Sequence, residues 1–183
     1  MIRDSAMTFR HLTLEALTVF IGNLMRTEGF DTVKHIMVLR DAETDVKRAV
    51  DMVQSAFRMN GLPVPEQAHK WKKETNTTDT AFTLLPACST EPVSGTLEDL
   101  CWEVLMDKHA SEMRMDVIRF INEIKKNYGT VTTHEHKSRL HTYFSVNEAY
   151  ISLKIGEAAQ AGAFNWESEK LDGLKELIRN GFD

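Results

Sequence analysis

The sequence predicts an α/β fold: a mainly parallel central sheet flanked by helices, followed by a helical C-terminal part. Three observations lead there. Ile36-Met37-Val38-Leu39 is a short apolar run with β-branched members and no polar alternation, the pattern of a strand buried on both faces. Ala81 to Leu85, AFTLL, is a second such run, ended by Pro86. Helical spacing fills the segment between them, so the pieces form a βαβ unit with a right-handed crossover.

The other elements follow in order. Residues 1–8 show no pattern, and Phe9 to Leu14, FRHLTL, alternates well enough for a short half-buried strand. From Glu15 to Thr27, Leu17, Phe20, Ile21, Leu24 and Met25 recur at helical spacing, with Gly29 just beyond. After the Ile36 run, Thr44 or Asp45 caps a helix carrying Val46, Ala49, Val50, Val53 and Phe57, which Asn60-Gly61 ends. Lys70 to Thr80 is polar and reads as an exposed loop. Trp71, among three lysines, is there either a platform for a base or an aromatic covering neighbouring surface.

Thr96 opens a helix with the stripe Leu97, Leu100, Cys101, Val104 and Leu105, and Asp99 three residues on fits a capping box. Further helical spacing runs from Met113 to Tyr128, closed by Gly129, then through Leu153 to Ala159, and finally over Leu171, Leu174, Leu177 and Ile178. Phe164-Asn165-Trp166 reads as a docking turn. The expectation is one domain over 1–183, with the sheet core at about 9–105 and the helical part at about 106–183.

Composition narrows the classes. The chain has 183 residues and a formal net charge of −5, so it offers no broad attraction to nucleic acid, although a local basic patch is compatible with that balance. No apolar run approaches the roughly 18 residues of a membrane span, and the N-terminus lacks the charged-then-apolar pattern of a signal sequence. Cys88 and Cys101 do not have zinc spacing, so reduced thiols and a cytoplasmic location are expected. Neither a P-loop nor a dinucleotide fingerprint is present, which removes support for those nucleotide-binding classes.

The chemistry concentrates after the first apolar run. Arg40 is followed by Asp41, Glu43 and Asp45 at alternating positions, at the strand end where open α/β sheets place ligands. Oxygens at that spacing suit a hard cation such as Mg²⁺, and they equally suit a solvated turn that caps the next helix. Glu98 and Asp99 fall in a first helical turn, where the macrodipole favours negative charge with or without a metal. Within TTHEHKSRLHTYF, His134 and His136 diverge on a helix and share a face on an extended segment, so zinc has weak support. Lys137 and Arg139 are misplaced for a helix N-terminus and suggest a partner anion.

VLRDAETD, SGTLEDL, and HKSRLHTYF with ISLKIGEAAQAGAFNW together resemble the small Toprim-like proteins of unknown function, related to the topoisomerase–primase fold and the nuclease part of OLD-type proteins. The resemblance covers the chain from about Leu12 onward. It implies Mg²⁺ or Mn²⁺ held for phosphodiester chemistry. Asp41 matches the first acid of the family's pair, Glu43 the second, and Asp45 an auxiliary acid; Glu98, with Asp99 beside it, matches the later glutamate. Lys137 matches the lysine that steadies charge on a phosphate. Glu98 and Lys137 are thus the implied catalytic residues, and Arg40, Lys137 and Arg139 the implied nucleic-acid contacts.

The family's first-strand Glu-Gly-x-x-Asp motif is missing, and Glu15 precedes a helix without the glycine. The implied function is a metal-dependent nuclease or nucleotidyl transferase in an anti-phage or toxin-like system. The alternative is a non-catalytic subunit that binds a partner such as an OLD-type ATPase. A homo-oligomer and a nucleic-acid substrate are compatible with either.

Overall fold

The computed structural model describes residues 13–106, 110–129 and 134–182. Helix α1 (Leu14–Met25) starts at Thr13, whose hydroxyl accepts from the Ala16 N–H at 3.2 Å, and it buries Leu17 and Ile21. Strand β1 (His35–Asp41), helix α2 (Val46–Met59) and strand β2 (Asp79–Leu85) follow. The strands pair in parallel from His35 opposite Asp79 to Asp41 opposite Leu85. Among the described residues the sheet is these two strands, smaller than the central sheet the sequence suggests. Phe9 to Leu12 lie outside the described residues, and Leu14 opens α1 where the sequence pattern placed a strand end.

The burial of the two strands differs from the expectation for Ile36 to Leu39. In β1 only Ile36 is buried, while Met37, Val38 and Leu39 are half-buried. In β2 every residue from Thr80 to Leu85 is buried. Apolar composition alone does not say which of two such runs lies deeper. Two polar residues of β2 are tolerated because they are satisfied: the Thr80 hydroxyl donates to the Pro63 carbonyl at 2.6 Å, and Thr83 Oγ1 lies 3.2 Å from His69 Nδ1.

Asp45 is the residue that caps α2, accepting from the Arg48 N–H at 2.9 Å. At the other end, the Asn60 amide donates to the Thr18 and Ala56 carbonyls at 3.1 and 2.8 Å, tying α2 to α1. Five helices complete the described chain: α3 (Leu97–Glu103), α4 (Ala110–Tyr128), α5 (Glu135–Ser145), α6 (Ile155–Gln160) and α7 (Asp172–Phe182). Two apolar clusters result. One gathers Leu17, Ile21, Phe57 and Phe82, and the other Leu85, Leu100, Tyr143, Phe144 and Phe164. The Phe164 turn docks as expected, bridging Leu105, with the Asn165 N–H donating to the Val104 carbonyl at 2.7 Å.

Trp71 is half-buried: its indole N–H donates to the Leu177 carbonyl of α7 at 2.8 Å, and the ring lies against Gly181. Of its two readings, covering neighbouring surface is the one found. Glycine at 173 also lets α7 approach closely, since a Cβ there would stand 2.3 Å from the Cys88 carbonyl oxygen. Gly173→Ala should therefore destabilise the chain by about 1–3 kcal/mol, because the obstacle is backbone. Gly156→Ala in α6 meets nothing within 4 Å, and should stabilise by about 0.5–1 kcal/mol. Urea unfolding midpoints that move the same way in both variants would contradict this docking.

Candidate functional site

The ends of β1 and β2 are locked to the loop that precedes α3. The Ala42 N–H donates to the Leu85 carbonyl at 3.1 Å, and Glu43 and Gly95 exchange two backbone hydrogen bonds, each 2.8 Å. Glu43 takes a left-handed φ of 54°, and Gly95 has φ 139°. Only glycine suits position 95, because a Cβ would lie 2.8 Å from Pro86 Cδ and 3.0 Å from Asp99 Oδ2. Asp41 completes the lock: its Oδ1 accepts from the Leu97 N–H at 2.8 Å, at the first residue of α3.

A cleft of about 1150 Å³ opens at these strand ends. It is lined by Glu15 and Val19 of α1, the Arg40 to Asp45 segment, Arg48, Met52 and Met59 of α2, Thr96, and His134, His136 and Lys137 around the start of α5. Four carboxylates (Glu15, Asp41, Glu43, Asp45) and three cations (Arg40, Arg48, Lys137) therefore border one space.

The remaining expected site residues lie elsewhere. Asp99 Oδ2 accepts from the Thr96 N–H at 2.8 Å, one half of the capping box whose other half is the Thr96 side chain accepting from the Asp99 N–H, and it also accepts from the Thr96 hydroxyl at 3.0 Å. Glu98 is not among the residues lining the cleft; its side chain is 12% exposed, and its Oε1 stands 3.9 Å from Lys137 Nζ. Arg139 also lies outside the lining and pairs with Glu135, which Lys125 engages as well. The rings of His134 and His136 meet edge to face, their centroids 5.8 Å apart.

Burial pushes the Cys101 thiol up to about 12, with Glu98 and then Asp41 adding to the effect, so both carboxylates are felt at that thiol. The hydrogen bonds from Lys125 and then Arg139 hold the Glu135 carboxyl below the usual glutamate range.

Oxygen donors of this kind suit Mg²⁺ or Mn²⁺ chemically. Asp41, Asp45 and Asp99 each accept a backbone N–H, and among the described residues no three His, Cys, Asp or Glu side chains gather closely enough to hold a cation.

Arg48 is a cleft residue that sequence reasoning missed, and Glu15 is one that it weighed and set aside for want of the glycine. Glu15 carried a usable signal, since it follows an apolar segment and opens a helix, the same logic that singles out Asp41. Arg48 carried none, because one exposed arginine on a helix marks no site.

A charged cleft at the C-terminal edge of a parallel strand pair, backed by helices, defines a mixed α/β protein with a ligand-sized opening at the strand ends. A family model described as "Protein of unknown function (DUF3226)" matches residues 13–183, and the chain belongs to that family. No curated protein and no solved structure matches it.

Asp41→Ala should cost about 1 kcal/mol by leaving the Leu97 N–H at the start of α3 without its carboxylate acceptor, the Thr96–Asp99 capping box remaining in place. Asp41→Asn keeps an acceptor oxygen and should lose less than half of that; equal losses in thermal melts would show that the cap is unimportant. The Glu135 pair adds a pH dependence. Because its folded pKa is depressed, its contribution is present above the unfolded value, about 4.3, and disappears as pH falls through the lower folded value. Glu135→Gln should flatten the acid limb of the stability curve below that pH while changing its shape little near neutrality.

Proposed function

We propose that the chain is a Toprim-like protein whose cleft binds phosphate esters of nucleic acid, acting as a binding subunit without a pre-built metal cage. The observation that supports this is the gathering of Arg40, Arg48 and Lys137 at the strand-end cleft of a chain with net charge −5. Four carboxylates border the same opening, so what these cations offer a phosphate is direct contact and not a net positive field. Asp41, Asp45 and Asp99 each accept a backbone N–H at a helix start, which gives these carboxylates a role in holding the cleft's walls whether or not a reaction occurs there.

A second reading is a Mg²⁺- or Mn²⁺-dependent nuclease or nucleotidyl transferase. It draws on Glu15, Asp41, Glu43 and Asp45 bordering the same cleft. Partnership with an OLD-type ATPase, and a place in an anti-phage or toxin-like system, follow from the Toprim-like resemblance and accommodate either reading. Among the described residues no helix is long and apolar enough to cross a membrane, and a cytoplasmic location is proposed on the free thiols of Cys88 and Cys101.

Calorimetric titration of Mn²⁺ into the wild type and Asp41→Asn separates the two. The binding reading expects small, equal heats in both proteins. A saturable heat in the wild type that Asp41→Asn abolishes would transfer support to the metal-dependent reading.

A further inference from the structure

We infer that the cleft recognises a nucleobase together with a phosphate, so that its ligand is a single-stranded nucleic acid or a nucleotide and not a duplex. This rests on the phosphate-ester reading above and narrows it. The cleft is chemically two-sided. Helices α1 and α2 supply the apolar side chains Leu14, Val19, Met52 and Met59, while the start of α5 supplies Lys137 and the histidines. Val19 is 55% exposed and Met59 70%, large apolar groups left uncovered at the mouth of a charged cleft.

They stand on a rigid pair of helices. Asn60 hydrogen-bonds across to Thr18, while Leu17, Ile21, Val53 and Phe57 are buried in the same cluster beneath. Methionine sulfur and aliphatic groups pack well against the face of an aromatic ring, and every base has such a face. Arg48 projects from α2 itself, so one helix offers both apolar and cationic groups to a ligand that carries a flat ring and an anion.

A duplex lacks that combination. Its bases are stacked inside, and it presents phosphates and sugars outward. Against this cleft a duplex would set a row of charged phosphates on the side of Val19 and Met59, where among the described lining residues α1 and α2 supply a single cation, Arg48, and an acid, Glu15. A single strand or a nucleotide can turn a base toward α1 and α2 while its phosphate meets Lys137 and Arg48.

The test measures fluorescence anisotropy of a short labelled single strand and of the same sequence as a duplex. Adenosine monophosphate and inorganic tripolyphosphate serve as competitors. The single strand should bind roughly tenfold tighter than the duplex, the fold-change of one stacked base. Combining Val19→Gln with Met59→Gln, both exposed and neutral, should remove most of that advantage and leave tripolyphosphate competition unchanged. Lys137→Gln should weaken every anion. Competition by adenosine monophosphate stronger than by tripolyphosphate assigns the base contact to a nucleotide-sized ligand; competition by the strand alone assigns it to a polymer. Duplex binding as tight as the single strand, or an unchanged preference in the double variant, overturns the inference. Absence of binding by strand, duplex and tripolyphosphate alike would instead sink the phosphate-ester reading beneath it.

Discussion

The Asp41 carboxylate, accepting from the Leu97 N–H, joins the end of the first strand to the beginning of α3, and the arrangement of the molecule depends on that joint. A helix start carries unpaired N–H groups and a partial positive charge, so a carboxylate there satisfies a donor and interacts favourably with the dipole. The paired backbone bonds between Glu43 and Gly95 reinforce the joint from one side, and Ala42 to Leu85 from the other. Here the two apolar clusters meet: Leu84 belongs to the cluster under α1 and α2, and the next residue, Leu85, to the cluster of α3, α4 and α5. Alternation along one strand feeds both.

The joint also sets the cleft. With α3 held against the strand ends, Glu98 lies within ion-pair distance of Lys137, and α5 presents its first turn beside α1 and α2. Glu135 is engaged by Lys125 of α4 and Arg139 of its own helix, which anchors the start of α5 from behind. Partly exposed pairs of this kind add little stability singly, and their larger effect is to choose orientation. Acidic groups crowded near the strand ends are thus distributed among backbone donors and cations, which relieves their mutual repulsion.

Several features were legible because their causes are local. The capping pair Thr96 and Asp99, the helix stop at Asn60-Gly61 and the apolar run of Ala81 to Leu85 depend on side chains within a few residues of one another. Asp41 and Glu43 were singled out by their place after a strand, and they border the cleft. What was not legible depends on distant partners. Glu98 looked equivalent to Asp41 as a metal carboxylate, but the direction of its side chain is settled by Lys137, which lies 39 positions on in the chain. Trp71 looked like an exposed aromatic until α7, the last described helix, covered it.

The sequence by itself determined the types of the two paired strands and of the helices between and after them up to α4, the parallel order implied by strand, helix and strand, and the concentration of acids at one strand end. Those follow from periodicity and capping, which operate over a few residues. Only the tertiary structure decided that β2 lies deeper than β1, and that Glu15 and Arg48 reach the same opening as Asp41. It also decided that Asp41, Asp45 and Asp99 serve helix starts. Depth and convergence are properties of packing between remote segments, and a carboxylate's role depends on which donor packing brings within reach.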